Sequence, residues 1–147
     1  MVSIKKKRII ALWCGLFLLA TGLFAQEFNN QTFNSLTAEI KKLNICEDEF
    51  VGIGNDASFQ YKRFRQLQNI SSDENLNEIL KTESNGVLKV YAYIALRNKK
   101  SKIDQEVLNV LVRDTSVITY QSGCNTSQFT VSSFIKQYDI LGKKLIH

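Results

Sequence analysis

Ser84-Asn85-Gly86-Val87-Leu88-Lys89-Val90-Tyr91-Ala92-Tyr93-Ile94-Ala95-Leu96 is the stretch whose reading decides the fold. Val87, Val90, Tyr91, Ile94 and Ala95 fall at i, i+3, i+4, i+7 and i+8, which predicts a helix over residues 87–98 with one apolar face. Ala92 and Ala95 are small enough to let a second helix approach closely. Val87, Tyr91, Ala92 and Ala95 are therefore read as helix-packing residues. Lys89 reads as solvent-facing, so Lys89→Leu should change stability by less than about 0.5 kcal/mol. The exit Lys99-Lys100-Ser101-Lys102 is basic, as the negative end of a helix prefers.

Outward from this helix the pattern stays helical. Leu76, Ile79 and Leu80 form the apolar side of a preceding helix, entered through Ser71-Ser72-Asp73-Glu74 with a Ser cap and acids in the first turn. Residues 104–113 give a following helix through Val107, Leu108, Val110 and Leu111. Earlier still, Phe33, Leu36, Ile40 and Leu43 recur at helical spacing. Residues 56–69 read as a helix capped by Asp56, with Phe59, Tyr61, Phe64 and Leu67 as its apolar positions. Val117-Ile118-Thr119-Tyr120 has strand-like composition, so a short extended segment is expected near 115–127. A last helix is expected over 131–141. Asp73, Leu76, Ile79, Leu80 and Val87 are echoed at an offset of 31 by Asp104, Val107, Val110, Leu111 and Ile118. The fold expected is mainly α, a small helical bundle in one domain over residues 26–147.

Residues 84–96 resemble the second helix of a HEAT-like repeat: Asn or Asp, then Pro, then Val and a basic residue, then a run such as Tyr-Ala-x-x-Ala-Leu. The helix before it, Leu76 to Leu80, fits the first helix of that repeat, and Val107 to Val112 would open the next. The resemblance covers residues 72–114, and exported bacterial proteins of unknown role are similar in this stretch. Gly86 stands where Pro is usual. Solenoids need about three stacked repeats, so the resemblance implies one HEAT-like pair inside a small bundle. It implies protein binding through exposed helix faces, with no catalytic residues and no cofactor.

Residues 1–25 have the three parts of a secretory signal. Lys5, Lys6, Lys7 and Arg8 form the basic start, Ile9 to Ala20 the apolar run, and Thr21-Gly22-Leu23-Phe24-Ala25 the exit. Cleavage after Ala25 would send the chain to the periplasm or outside the cell. The competing reading keeps residues 9–25 as a membrane anchor, at the short edge of the roughly 17–25 residues that span a bilayer. The 147-residue chain has 19 basic and 14 acidic side chains, for a formal charge of +5. Without its first 25 residues the charge falls to +1. That balance gives no electrostatic reason to seek nucleic acid. Cys46 and Cys124 are a disulfide candidate in an exported chain, the alternative being two buried free thiols.

The residues that could carry chemistry read blandly. Gly52-Ile53-Gly54-Asn55-Asp56-Ala57 matches a relaxed dinucleotide fingerprint, but no βαβ unit follows, so an interhelix loop is expected. Glu47-Asp48-Glu49 lacks the alternation of a calcium loop and reads as solvated. Phe59-Gln60-Tyr61-Lys62-Arg63-Phe64-Arg65 interleaves aromatics with bases as single-strand binders do, yet on a helix it is an amphipathic stripe. The only histidine is His147, which leaves Ser or Cys nucleophiles without an internal base. No metal site is expected. The function expected is an exported interaction module with an unknown protein partner; a small carboxylate-based hydrolase is the enzymatic alternative.

Overall fold

The apolar run after Asn85 becomes the hub of the molecule. This computed structural model describes residues 31–141. The chain divides into two compact units, Met1–Asn34 and Ser35–His147, and every element from β1 onward belongs to the second. In chain order the elements are α1 (residues 31–41), β1 (Ile45–Val51), β2 (Asp56–Ala57), α2 (Phe59–Ile70), α3 (Asp73–Thr82), α4 (Gly86–Lys99), α5 (Gln105–Leu111), β3 (Val117–Gly123), β4 (Asn125–Thr130) and α6 (Val131–Leu141). Residues 1–25, read as an export signal, lie outside the described residues. Among the described residues no helix is long and apolar enough to cross a membrane.

The Asn85 side chain caps α4 by accepting from the Leu88 N–H at 2.9 Å. The helix closes at Lys100, whose left-handed φ of 58° lets Ser101 N–H reach back to the Leu96 carbonyl. From Gly86 to Leu96 every residue except Lys89 is buried. A helix apolar on all sides must be surrounded, and α2, α3, α6, β1 and β3 all pack against it. Each of its aliphatic side chains contributes about 1.5–3 kcal/mol by leaving water. Val87, Tyr91, Ala92 and Ala95 all lie in this core, each 0–2% exposed. Ala92→Leu should therefore cost about 1–3 kcal/mol through overpacking, read as a lower urea midpoint with an unchanged slope.

The mainly α bundle is overturned. Beside six helices, the described residues form a four-stranded mixed sheet in the order β2-β1-β3-β4. β1 and β3 pair in parallel, Cys46 opposite Tyr120, while β1–β2 and β3–β4 are antiparallel. A parallel pair needs a long crossover, and α2 to α5 supply it. The extended segment expected near 115–127 is thus one full hairpin, turning at Gly123 (φ 54°) and Cys124. α3 and α4, the pair that resembles a HEAT-like repeat, do pack together. α4 also packs against β1, β3 and α6, so it is a central helix and not one layer of a stack.

Several local readings change with the sheet. Asp56 lies in β2, and Ser58 caps α2 instead, accepting from Tyr61 N–H at 2.7 Å. Ser72 and Asn75 form a reciprocal capping box on α3. Lys89 is not on a free outer face. Its Nζ meets Asp114 Oδ2 at 2.6 Å, with the two side chains only 12% and 8% exposed. The candidate bridge between Cys46 and Cys124 is not made: both are free thiols, Cys46 buried and Cys124 exposed. Cys46 sits opposite Tyr120 in the ladder, four residues short of Cys124, or about 13 Å along a strand. A disulfide needs a Cα separation below about 7 Å.

Gln60 ties the start of the sheet to the helices. It is 1% exposed, and its Nε2 donates to the carbonyls of Ile40 (3.0 Å) and Ile45 (3.2 Å). Those two carbonyls belong to the end of α1 and the first residue of β1. Gln60→Leu keeps the volume but strips both of their donor, and should cost about 1–3 kcal/mol. Thermal unfolding of the variant checks this.

Candidate functional site

Between β1 and β2 the chain turns through Gly52-Ile53-Gly54-Asn55. Gly52 (φ 76°) and Asn55 (φ 54°) take the left-handed conformations the turn requires. Gly52 N–H donates to the Gly123 carbonyl at 2.9 Å, which pins the turn to the end of β3. The geometry leaves Ile53 at the tip, 97% exposed. This is the stretch that matches the dinucleotide fingerprint. It leads into β2 and not directly into a helix, so no helix N-terminus faces the glycines as phosphate binding requires.

A cleft of about 610 Å³ lies between the β1–β2 ladder and α2. Phe50, Tyr61 and the aliphatic stems of Lys62 and Arg65 give it an apolar wall, with Ser58 and Gln66 as polar points and Glu49 at its edge. Phe50 is 43% exposed and Phe59, at the start of α2, 73%. Lys62 Nζ sits 5.0 Å from the centre of the Phe59 ring, a cation–π contact worth about 0.5–1 kcal/mol at an exposed site. Among the described residues Lys62 and Arg65 make no ion pair, whereas Arg63 on the neighbouring face is engaged by Glu39 at 3.6 Å. The amphipathic-stripe reading of 59–65 therefore holds for Phe64 and fails for Phe59, which faces solvent.

The acid run Glu47-Asp48-Glu49 is not a solvated loop. It lies in β1, where Glu47 accepts from Ser58 Oγ at 2.6 Å and Asp48 is 3% exposed on the inner face of the sheet. Glu49 alone is exposed. Burial, and then the Asp48 carboxylate, push the Tyr120 phenol above its ordinary range. Burial does the same to Tyr91, whose oxygen accepts from Glu47 N–H at 3.0 Å. Burial followed by the Glu47 charge pushes the Cys46 thiol up as well. These three groups are protonated at neutral pH, and a protonated buried thiol is inert. No cluster of three or more His, Cys, Asp or Glu suited to a metal ion occurs among the described residues.

No family model matches the chain, and no curated protein is similar to it. Helical spacing turns Phe59 inward in the sequence reading, because aromatic residues in such a stripe ordinarily pack; Ile53 and Phe50 lie outside any such stripe. The readable signal was an isoleucine set between two glycines, where a turn has no interior to offer it.

Proposed function

We propose that this chain is an exported interaction module that binds a protein partner through the β1–β2 turn and the adjoining face of α2. The observation that carries the reading is Ile53, 97% exposed at the tip of a glycine-flanked turn, with exposed Phe50 on the strand leading into that turn and exposed Phe59 two residues after the strand leaving it. Apolar side chains gathered on one exposed surface mark interaction sites more often than scattered single ones do. Lys62 and Arg65 border the apolar group, which favours a partner with an apolar pocket and an acidic rim. The buried Cys46, Tyr91 and Tyr120 act as structural groups in this reading.

Ile53→Asp removes the apolar tip without touching the core, so stability should change by less than about 0.5 kcal/mol. Capture of the partner from envelope extracts by immobilised full-length protein should be lost with this variant. It should be kept with Val110→Asp, a change at a 60% exposed position on α5. Equal loss from both variants, or from neither, contradicts the reading. Binding should also weaken as salt rises, because the two cations act through solvent.

A further inference from the structure

The cleft between the β1–β2 ladder and α2 has two walls of different chemistry. Its volume of about 610 Å³ falls within the roughly 300–1,000 Å³ of sites that bury a ligand. One wall is α2, where Lys62, Arg65 and Gln66 stand at i, i+3 and i+4 and so share a helix face. Lys62 and Arg65 are both exposed, and neither enters an ion pair among the described residues. The other wall is the ladder, where Phe50 and Ala57 are directly paired. Glu49 is the acid on that wall. The register of β1 against β3 shifts between Glu47 and Val51, and irregularities of this kind re-aim side chains. Ser58 N–H donates to the Glu49 carbonyl at 2.9 Å, which ties this part of the ladder to the start of α2.

We infer that the cleft takes an extended segment of the partner whose side chains run in the order acid, apolar, acid. Side chains of an extended chain alternate between faces, so its first and third residues meet one wall and its middle residue the other. The first and third lie about 6.7 Å apart. Residues three apart on a helix are about 5–6 Å apart at their Cβ atoms, a difference that the long Lys and Arg stems close. The two acids therefore meet Lys62 and Arg65, and the guanidinium can hold its carboxylate through two parallel N–H bonds. The middle side chain meets Phe50 and Ala57. Glu49 repels an acid at that middle position, and this sets the order of the three. The inference rests on the binding reading and names what the partner brings to the face. Ile53 is not among the residues that line the cleft, so the two can be tested apart.

Calorimetric titration of the full-length protein with end-blocked pentapeptides tests it. Ala-Glu-Leu-Glu-Ala should bind about tenfold tighter than the neutral Ala-Gln-Leu-Gln-Ala, and about tenfold tighter than Ala-Glu-Glu-Leu-Ala, which has the same charge in another order. Lys62→Gln and Arg65→Gln should each weaken the first peptide about tenfold. Arg113→Gln, at an exposed cation just after α5, should leave it unchanged. Glu49→Gln should narrow the gap between the two acidic peptides, and Ile53→Asp should bind all three as the wild type does. Equal affinity for the two acidic peptides would reduce the effect to bulk charge and overturn the inference, as would indifference to Lys62→Gln and Arg65→Gln. Partner capture that depends on Ile53, with no preference among the peptides, overturns this inference alone and leaves the binding face standing.

Discussion

Lys89→Met should destabilise the fold by about 2–4 kcal/mol, although a lysine on a helix ordinarily tolerates such a change. The Lys89 ammonium lies 2.6 Å from Asp114, and both side chains are nearly buried. Asp114 also accepts from Ser116 N–H at 2.8 Å, so the pair fixes the chain entering β3. Removing one member of a buried pair strands the other charge, at a cost of about 3–5 kcal/mol when burial is complete. The residual exposure of this pair argues for the lower part of that range. Lys89→Met with Asp114→Leu should recover most of the loss, which separates the stranded charge from lost packing. Burial alone would raise the Asp114 carboxyl, but the bonds from Lys89 and Ser116 outweigh it and hold it below its ordinary 3.8. A carboxyl lowered in the folded state stabilises above its unfolded value and loses that contribution as pH falls through the folded one. Wild-type stability should therefore drop in acid below pH 3.8, and Asp114→Asn should flatten part of that drop.

Gly86→Val should cost about 3 kcal/mol, and Gly86→Ala about 1–2 kcal/mol, the range expected of overpacking. A Cβ at position 86 would stand 2.8 Å from Ile118 Cγ2 and 3.1 Å from Val131 Cγ2. Both neighbours are fully buried and cannot turn aside. The first residue of α4 is pressed directly onto β3 and α6, which is why glycine stands where a HEAT-like repeat has proline. A proline ring would meet the same two side chains. Denaturant midpoints for the two substitutions should fall in order of size, with the slope unchanged. A silent Gly86→Ala would mean that the end of α4 does not rest on the sheet.

The helices were legible and the sheet was not, for identifiable reasons. α3 and α4 follow the spacing of their apolar residues, and the Ser cap and acids at the start of α3 mark where it begins. The echo at 31 residues found two real helix starts, at Asp73 and beside Asp104. It also paired Val87 with Ile118, a helix residue with a strand residue, because spacing alone cannot tell which element buries a lone aliphatic side chain. β1 was hidden by Glu47-Asp48-Glu49. Acids are poor strand formers, and Asp48 occupies an inward position where alternation calls for an apolar group. β4 is polar because it is an edge strand. The Lys89–Asp114 pair spans 25 residues, beyond anything local pattern can show. The candidate surface was hidden by a sound rule, that aromatics at helical spacing pack inward. Phe59 breaks it at the first position of α2, where it is 73% exposed.

Photo-crosslinking from position 53 of the full-length protein in its native envelope extract tests the central claim most directly. A crosslinking residue at Ile53 should give one discrete adduct with a partner protein. The adduct should disappear when Lys62→Glu and Arg65→Glu are added, and the same residue at Val110 should give none. Adducts that are diffuse, that match those from position 110, or that survive the loss of both cations would contradict the assignment of the turn and α2 as the binding face.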